Sequence, residues 1–401
     1  METRIAGESK RIQLLDILRG FALLLIVIIH YVEHFDFFAP AQQGLIFSSQ
    51  TDQLVMNGVF ALVSGKAYAI FALLFGYSCF IQINRKARAG VDFRGRYLWR
   101  LCILFAIGFA HSLVYKGDIL HLYAALGLVL IGLYHVNSKV LIVICVLLAL
   151  QIPSIYQLTQ AVIDSTYDYQ ETFGMGIWHL VDQTYATGTL ADVMNFNLWQ
   201  GRTTVLGWTF YNGRYLQLVS LFILGLVLAR YQFFETILQR KKAIPIFLVG
   251  CACAMVALMV LMSFVTDGLT AQQAKHLNLI LGSYYNLAFT GVICASLIYL
   301  YLQFGTNKVH ELLAAYGRMS LTNYLAQALF GVWFFYGFGL AMYQYMGATM
   351  SLILGVLVFS AQAYFSLWWQ RRYRHGPVEW LWRSLTYIGH DSNVKKLVLS
   401  K

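Results

Sequence analysis

The chain has 401 residues, of which the apolar set AVILMFWYC makes up 59% and charged residues only 12%, against roughly 25% charged in a soluble domain. No water-soluble core hides that much apolar side chain, so the solvent is lipid, and disordered, collagenous, coiled-coil and disulfide-scaffold classes are excluded. The net charge of +11 fits basic loops on the cytoplasmic face of a membrane protein, not a nucleic-acid binder.

A membrane span needs about 20 apolar residues. The sequence predicts ten, at 12–32, 66–83, 97–115, 119–136, 139–157, 212–231, 243–265, 277–303, 320–340 and 349–370. The expected fold is therefore all-α, a polytopic helical bundle. No small-residue cleavage site follows the first run, which reads as an uncleaved span. The stretch 54–83 is too long for one straight helix, so a break or an interfacial segment is expected before Gly65. The organisation is a five-helix half over 1–157, an external loop over 158–211, a second five-helix half over 212–371 and a tail over 372–401. The cysteines all sit in apolar runs without metal-ligand spacing and read as packing residues.

Charge sets the orientation. Arg4, Lys10 and Arg11 precede the first span, and basic clusters follow spans two, six and ten. With ten spans, all of these fall on one side. Of the 29 Lys and Arg, only Lys66, Lys116, Arg202, Arg214 and Lys275 fall on the other. The clusters are expected to be cytoplasmic, with both termini inside. The loop 158–211 is acidic and aromatic, and is either a cap over an outward cavity or a spacer on the headgroups.

Ionisable groups inside a span are costly, so each is a functional candidate. The first span carries Asp16, Arg19, His30, Glu33 and His34. At about 100° per residue, the step from Arg19 to His30 ends about 20° past three full turns, so both project from one face, about 16 Å apart along the axis. Asp16 can pair with Arg19. Arg suits an anion such as phosphate, and His suits proton transfer near neutral pH. An anion site at one end and a general base at the other is what moving a group across the membrane requires. A bridge that orients the helix, with histidines at a wet interface, is the structural alternative.

The hairpin between spans three and four holds His111, Lys116, Asp118 and His121. Asp118 either orients a histidine or caps the next helix. These histidines lack metal-motif spacing, and no metal is expected. Lys66 opens the second span as a snorkelling or functional lysine. Arg318, Asn323 and Gln327 line the start of the ninth span, where hydrogen bonding between helices is the expected role of the two amides. No nucleotide-binding loop or nucleophile elbow occurs.

Three blocks carry a resemblance. Gly317-Arg318-Met319-Ser320-Leu321-Thr322-Asn323-Tyr324-Leu325-Ala326-Gln327, Phe335-Tyr336-Gly337 and Gly376-Pro377-Val378-Glu379-Trp380-Leu381-Trp382 resemble the C-terminal signature of the YeiB-like bacterial membrane proteins, a family defined only as a domain of unknown function. Gly65-Lys66, Leu74-Phe75-Gly76 and Gly117-Asp118-Ile119-Leu120 look like its N-terminal half. The opening Leu15-Asp16-Ile17-Leu18-Arg19-Gly20-Phe21-Ala22 is similar to a wider superfamily of transmembrane acyltransferases, which includes sugar O-acyltransferases and the lysosomal glucosaminide N-acetyltransferase. In the O-acyltransferases an Arg, ten residues and a His mark the first span, and Arg19 and His30 match that spacing. At the position of His30 the YeiB-like pattern more often has Asn, so there the chain is closer to the O-acyltransferases.

The resemblance implies a ten-span fold with acyl-CoA bound from the cytoplasm and an acceptor outside. The leading expectation is an acyltransferase of the bacterial inner membrane. Arg19, with Arg96 and Arg100, would contact acyl-CoA. His30 would be the base, oriented by Asp118, with His34 nearby. Asp16, Lys66, His111, His121, Arg318, Asn323 and Gln327 would complete the polar cavity. The partners are the bilayer and a sugar, amine or lipid acceptor, with no nucleic acid and with a homodimer left open. The rival is an exporter or permease, which the lack of an internal repeat disfavours.

Overall fold

The computed structural model describes residues 12–39, 41, 46–265 and 268–388. Arg4, Lys10, Arg11 and the tail beyond 388 lie outside the described residues. The fold is all-helical. In chain order the helices are α1 (Gln13–Val32), α2 (Ser49–Val63), α3 (Ala67–Ala87), α4 (Arg94–Ser112), α5 (Leu120–Leu133), α6 (Ser138–Ala149), α7 (Ile152–Ile163), α8 (Trp178–Thr187), α9 (Leu190–Phe196), α10 (Arg202–Tyr211), α11 (Arg214–Arg230), α12 (Ala243–Phe264), α13 (Ala271–Phe304), α14 (Lys308–Arg318), α15 (Ser320–Phe335), α16 (Ala348–Gln370) and α17 (Pro377–Thr386).

By length and composition, five helical stretches among the described residues can cross a membrane, or up to seven if each of two bent pairs is one span. The five are α1, the α2–α3 unit, α12, α13 and α16. The bent pairs are α6 with α7, at 40°, and the α9–α10 stretch with α11, at 69°. Between α2 and α3 the chain turns at Ser64–Lys66, where Gly65 takes φ 84°. This is the break that the long run 54–83 demanded.

α1 is the central helix, with most of its residues buried against α14, α16, α3 and α2. Glycine sets how close its neighbours come. A Cβ on Gly20 would lie 2.0 Å from the Leu313 carbonyl oxygen, and one on Gly317 would lie 2.0 Å from that of Asp16. The α1 and α14 backbones therefore touch. Gly76 and Gly225 bring α3 and α11 together in the same way. Without a hydrophobic force between helices in lipid, such close backbone packing is a main source of association.

α1 ends in a strained turn. His34, Phe35 and Asp36 adopt φ of 48°, 60° and 63°, a left-handed conformation that costs L-residues roughly 1–2 kcal/mol each. Surrounding groups hold it. The Tyr336 hydroxyl donates to the Phe35 carbonyl at 2.7 Å, and the Lys116 ammonium donates to that of Asp36 at 3.1 Å.

The long loop folds into α8, α9, a π-helical turn at Asn197–Gly201 and α10. It packs down on the hairpin between α4 and α5. Asn197 donates to the Leu113 carbonyl at 3.0 Å and accepts from the Tyr185 hydroxyl at 2.7 Å. Of its aromatics, Tyr185 and Phe196 are buried against the bundle, while Phe173, Trp178, Trp199 and Trp208 stay exposed.

Candidate active site

One cavity of about 250 Å³ runs inside the bundle. Its walls come from α1, α3, α4, α5, α14, α15 and α17. At one end it is lined by Arg19, Arg100 and Arg318, with Ser78, Gln82 and Trp382; at the other by Tyr68, Tyr123, Tyr324, Ile119 and Leu120. Leu23, Ile26, Phe71 and Phe75 form an apolar waist between them.

At the arginine end, Arg19 donates to Asp16 at 2.8 Å and to the Ser78 hydroxyl at 2.6 Å. The pairing expected from the three-residue spacing is present, and it leaves Arg19 on the cavity wall. Arg100 stacks on the Trp382 ring at 3.6 Å, and Trp382 donates to its carbonyl at 2.9 Å. Arg318 also lines the wall, with its Nε donating to Ala314 at 3.2 Å. Arg96 does a different job. It donates to the carbonyls of Thr386 and Ile388 at 3.0 and 3.2 Å, so it fastens α17 to α4.

α17 closes this end. Its Glu379 carboxylate accepts from the backbone N–H groups of Leu321 and Thr322 at 2.7 and 3.1 Å. A carboxylate from one helix thereby caps the N-terminus of another, α15. Trp382 on the next turn faces the cavity. Sequence reasoning singled out this block for its family pattern, and missed that Trp382 lines the same cavity as Arg19.

At the far end the cavity stops against Tyr324 and Ile119–Leu120, next in sequence to Asp118. Asp118 is fully buried. Its Oδ1 accepts from His111 Nδ1 at 2.8 Å and its Oδ2 from His121 Nδ1 at 3.1 Å. Oδ2 also accepts from the Leu120 backbone at 3.0 Å. This one carboxylate both orients histidines and caps a helix. Burial acts to raise its pKa, but the bonds to His111 and His121 outweigh that and hold it below the usual carboxylate range.

The consequence falls on His111. Bonded through Nδ1, it leaves Nε2 as its remaining nitrogen, and that atom is buried with no hydrogen-bond partner. Its ring lies 5.5 Å from that of Tyr324 and 6.1 Å from that of Tyr115. His30 packs on the other side of Tyr115 at 5.2 Å, and its Nδ1 is also buried and unpartnered. Its Nε2 is 4.0 Å from Glu33. Asp118 spends both oxygens on His111 and His121, so the ring it orients most directly is His111, not His30.

The other expected residues separate. His34 turns away, hydrogen bonded to Ser351 at 2.8 Å and stacked on Phe335 at 4.2 Å. Asn323 donates to the Tyr316 carbonyl at 3.1 Å and to Ser366 at 2.9 Å, joining helices as its type suggested. Gln327 is fully buried, and neither atom of its carboxamide has a partner. Lys66 is buried, donating to Ala61 at 2.7 Å. Two residues that sequence reasoning placed only by charge also matter. Lys116 is buried 3.4 Å from Asp36, and burial pushes its ammonium pKa down against that carboxylate. Arg202 donates to Ser112 at 3.0 Å and stacks on Phe109 at 4.0 Å. Among the described residues, no group of three or more His, Cys, Asp and Glu converges as metal ligands would.

Residues 11–175 match the family described as "Heparan-alpha-glucosaminide N-acetyltransferase, catalytic", and residues 228–389 match "Protein of unknown function (DUF418)". The protein YeiB of Escherichia coli (strain K12) is 27% identical, covering 93% of this chain and 95% of its own. The similarity to YeiB thus runs over nearly the whole chain. YxaH of Bacillus subtilis (strain 168) is 26% identical over 97% of both chains. A 39.9 kDa protein of Bacillus acidopullulyticus is 25% identical over 94% of each. No solved structure matches. The transferase match covers α1 through the His111–Asp118–His121 cluster. The YeiB-like C-terminal match covers α14, α15 and α17, which supply Arg318, Tyr324 and Trp382. Each matched region contributes one wall of the cavity. The chain is a multi-pass membrane protein with bacterial relatives, and its N-terminal half is similar to a membrane-bound transferase.

Proposed function

We propose that the chain is an acyltransferase of the bacterial inner membrane, taking an acyl group from cytoplasmic acyl-CoA to a hydroxyl or amine acceptor outside. In this reading it has ten spans with both termini in the cytoplasm, and short helices such as α5 and α15 count as spans. The observation that carries it is the polarity of one cavity, with three arginines at one end and the Asp118–His111 pair behind Tyr324 at the other.

Arg19, Arg100 and Arg318 hold the phosphates of acyl-CoA, since guanidinium groups pair with phosphate oxygens through several charged hydrogen bonds at once. The apolar waist receives the pantetheine arm and the acyl group. His111 Nε2 takes the proton of the acceptor hydroxyl or amine as its oxygen or nitrogen bonds to the thioester carbonyl carbon. The carbon–sulfur bond breaks, and the thiolate leaves with a proton returned by His111. Asp118 keeps Nδ1 protonated and stabilises the imidazolium formed meanwhile. His30, across Tyr115, assists from the acceptor side. Calorimetry with acetyl-CoA on detergent-purified protein tests the reading. Saturable binding is expected, and its absence at millimolar ligand moves an exporter to the lead.

A further inference from the structure

Five cations, Lys66, Lys116, Arg202, Arg214 and Lys275, lie at the histidine end of the bundle. Three of them face an acid. Lys116 lies 3.4 Å from Asp36, Lys275 lies 2.8 Å from Glu171, and Arg202 feels the charge of Asp118. Lys66 and Arg214 have no carboxylate at ion-pair distance among the described residues. Both flank Tyr68 instead: Lys66 lies two residues before it, and the Arg214 guanidinium lies over its ring.

Their surroundings leave donors to spare. The Lys66 side chain is buried, and its ammonium lies 5.1 Å from the Phe289 ring and 5.5 Å from that of Tyr285. Of its three donor hydrogens, the bond to Ala61 uses one. The Arg214 guanidinium lies 4.4 Å from the Tyr68 ring and 4.7 Å from the Trp208 ring. Those contacts engage its faces. Among the described residues no protein acceptor meets its N–H edge. A third polar group converges from α13, since the Asn286 carboxamide comes within 2.7 Å of where a Gly65 Cβ would be.

A buried ammonium beside a second, half-buried cation and without a counter-charge is unfavourable, and a bound anion removes that cost. A carboxylate has two oxygens, which one guanidinium fork can satisfy alone. A phosphate has further oxygens to meet an ammonium and an amide as well. We propose that Lys66 and Arg214, with the Asn286 carboxamide, bind the phosphate group of a phosphomonoester at the histidine end of the bundle. The site stands whether or not acyl transfer is the chemistry. The phosphate belongs either to a phospholipid headgroup or to a soluble phosphorylated molecule.

Calorimetry on full-length protein in dodecyl maltoside separates these sources, with glycerol 3-phosphate and dihexanoylphosphatidic acid as probes. At least one should bind saturably. Binding of the glycerophosphate alone assigns a soluble ligand, binding of the lipid alone assigns a headgroup, and binding of both assigns recognition of the phosphate itself. Lys66→Gln combined with Arg214→Gln should weaken binding about tenfold or more, and Lys275→Gln should not change it. Should the double variant misfold, Arg214→Lys keeps the charge but loses the planar fork, and should also weaken binding. Failure of both probes at millimolar concentration overturns the proposal. So does wild-type affinity in the double variant, or, where that misfolds, in Arg214→Lys.

Discussion

Asp118 holds His111 through a 2.8 Å contact to Nδ1, and Nε2 of the same ring is buried without a partner. A carboxylate that fixes one imidazole nitrogen as a donor leaves the other as an acceptor. Replacing His111 by Gln should lower acyl transfer by about 10²-fold or more, the usual scale for a general base. Asp118→Asn should cost a similar factor, because an amide neither holds the Nδ1 proton nor stabilises the imidazolium. His30→Asn should cost less than either. If His30→Asn is inactive while His111→Gln retains full transfer in the same assay, the base is His30, as the eleven-residue spacing in α1 first suggested.

The arginines should separate by function. Arg19→Ala should weaken coenzyme A binding more than tenfold, since a charged hydrogen bond contributes about 1.5–3 kcal/mol. Arg96→Ala should leave binding nearly intact and lower thermal stability instead, because its contacts are the last carbonyls of α17 and the residues beyond. Calorimetry and a melting curve on each variant give both readouts. Equal loss of binding in the two would place Arg96 in the mouth after all.

His34 gives the structure a pH dependence. Burial holds its imidazole pKa at about 4, with Asp52 opposing, against about 6.5 for a free ring. The folded ring stays neutral where the unfolded one is protonated. Stability is therefore full above about pH 6.5 and falls as pH drops towards about 4, by an order of 3 kcal/mol at most. His34→Gln can keep a bond to Ser351 and removes the proton site. Melting curves between pH 7 and pH 4 should be flatter for the variant than for wild type, and parallel curves would rule His34 out as the source.

Orientation is tested by labelling. A reporter fused after Lys401 should be cytoplasmic, and Asp182→Cys, on α8, should react with an impermeant maleimide from outside. Reaction from the cytoplasmic side alone would reverse the charge argument.

What could be read in the sequence was set by local spacing. Arg19 and Asp16 lie three residues apart on one helix, so their pairing followed from helical geometry. His111, Asp118 and His121 lie within a short hairpin, so their meeting was legible, though not which ring Asp118 would orient. The role of His34 was not legible, because the helical spacing that put it above His30 ends at the left-handed turn His34–Asp36. The bend between α6 and α7 hid behind one apolar run, which reports burial in lipid and says nothing of direction, and the bend before α11 fell where the long loop meets the sixth span. α17 could be recognised as a family block. Its docking on α4 depends on Arg96 and Trp99 finding backbone partners 290 and 286 residues away, and its docking on α15 on Glu379 finding one 58 residues away, and no local pattern encodes that.

The glycine contacts between α1 and α14 have a mechanical result. Arg19 and Arg318 ride on two helices whose backbones touch at Gly20 and Gly317, so they form a fixed jaw. Opposite them, Arg100 and Trp382 belong to α4 and α17, which are joined by side-chain bonds to carbonyls. Those bonds can break singly without opening a void between packed backbones. The cavity therefore has a rigid side and a side held by separable bonds, and under the proposed function the ten-residue α17 is the element expected to give way to a ligand as bulky as a nucleotide while the bundle behind it keeps its shape.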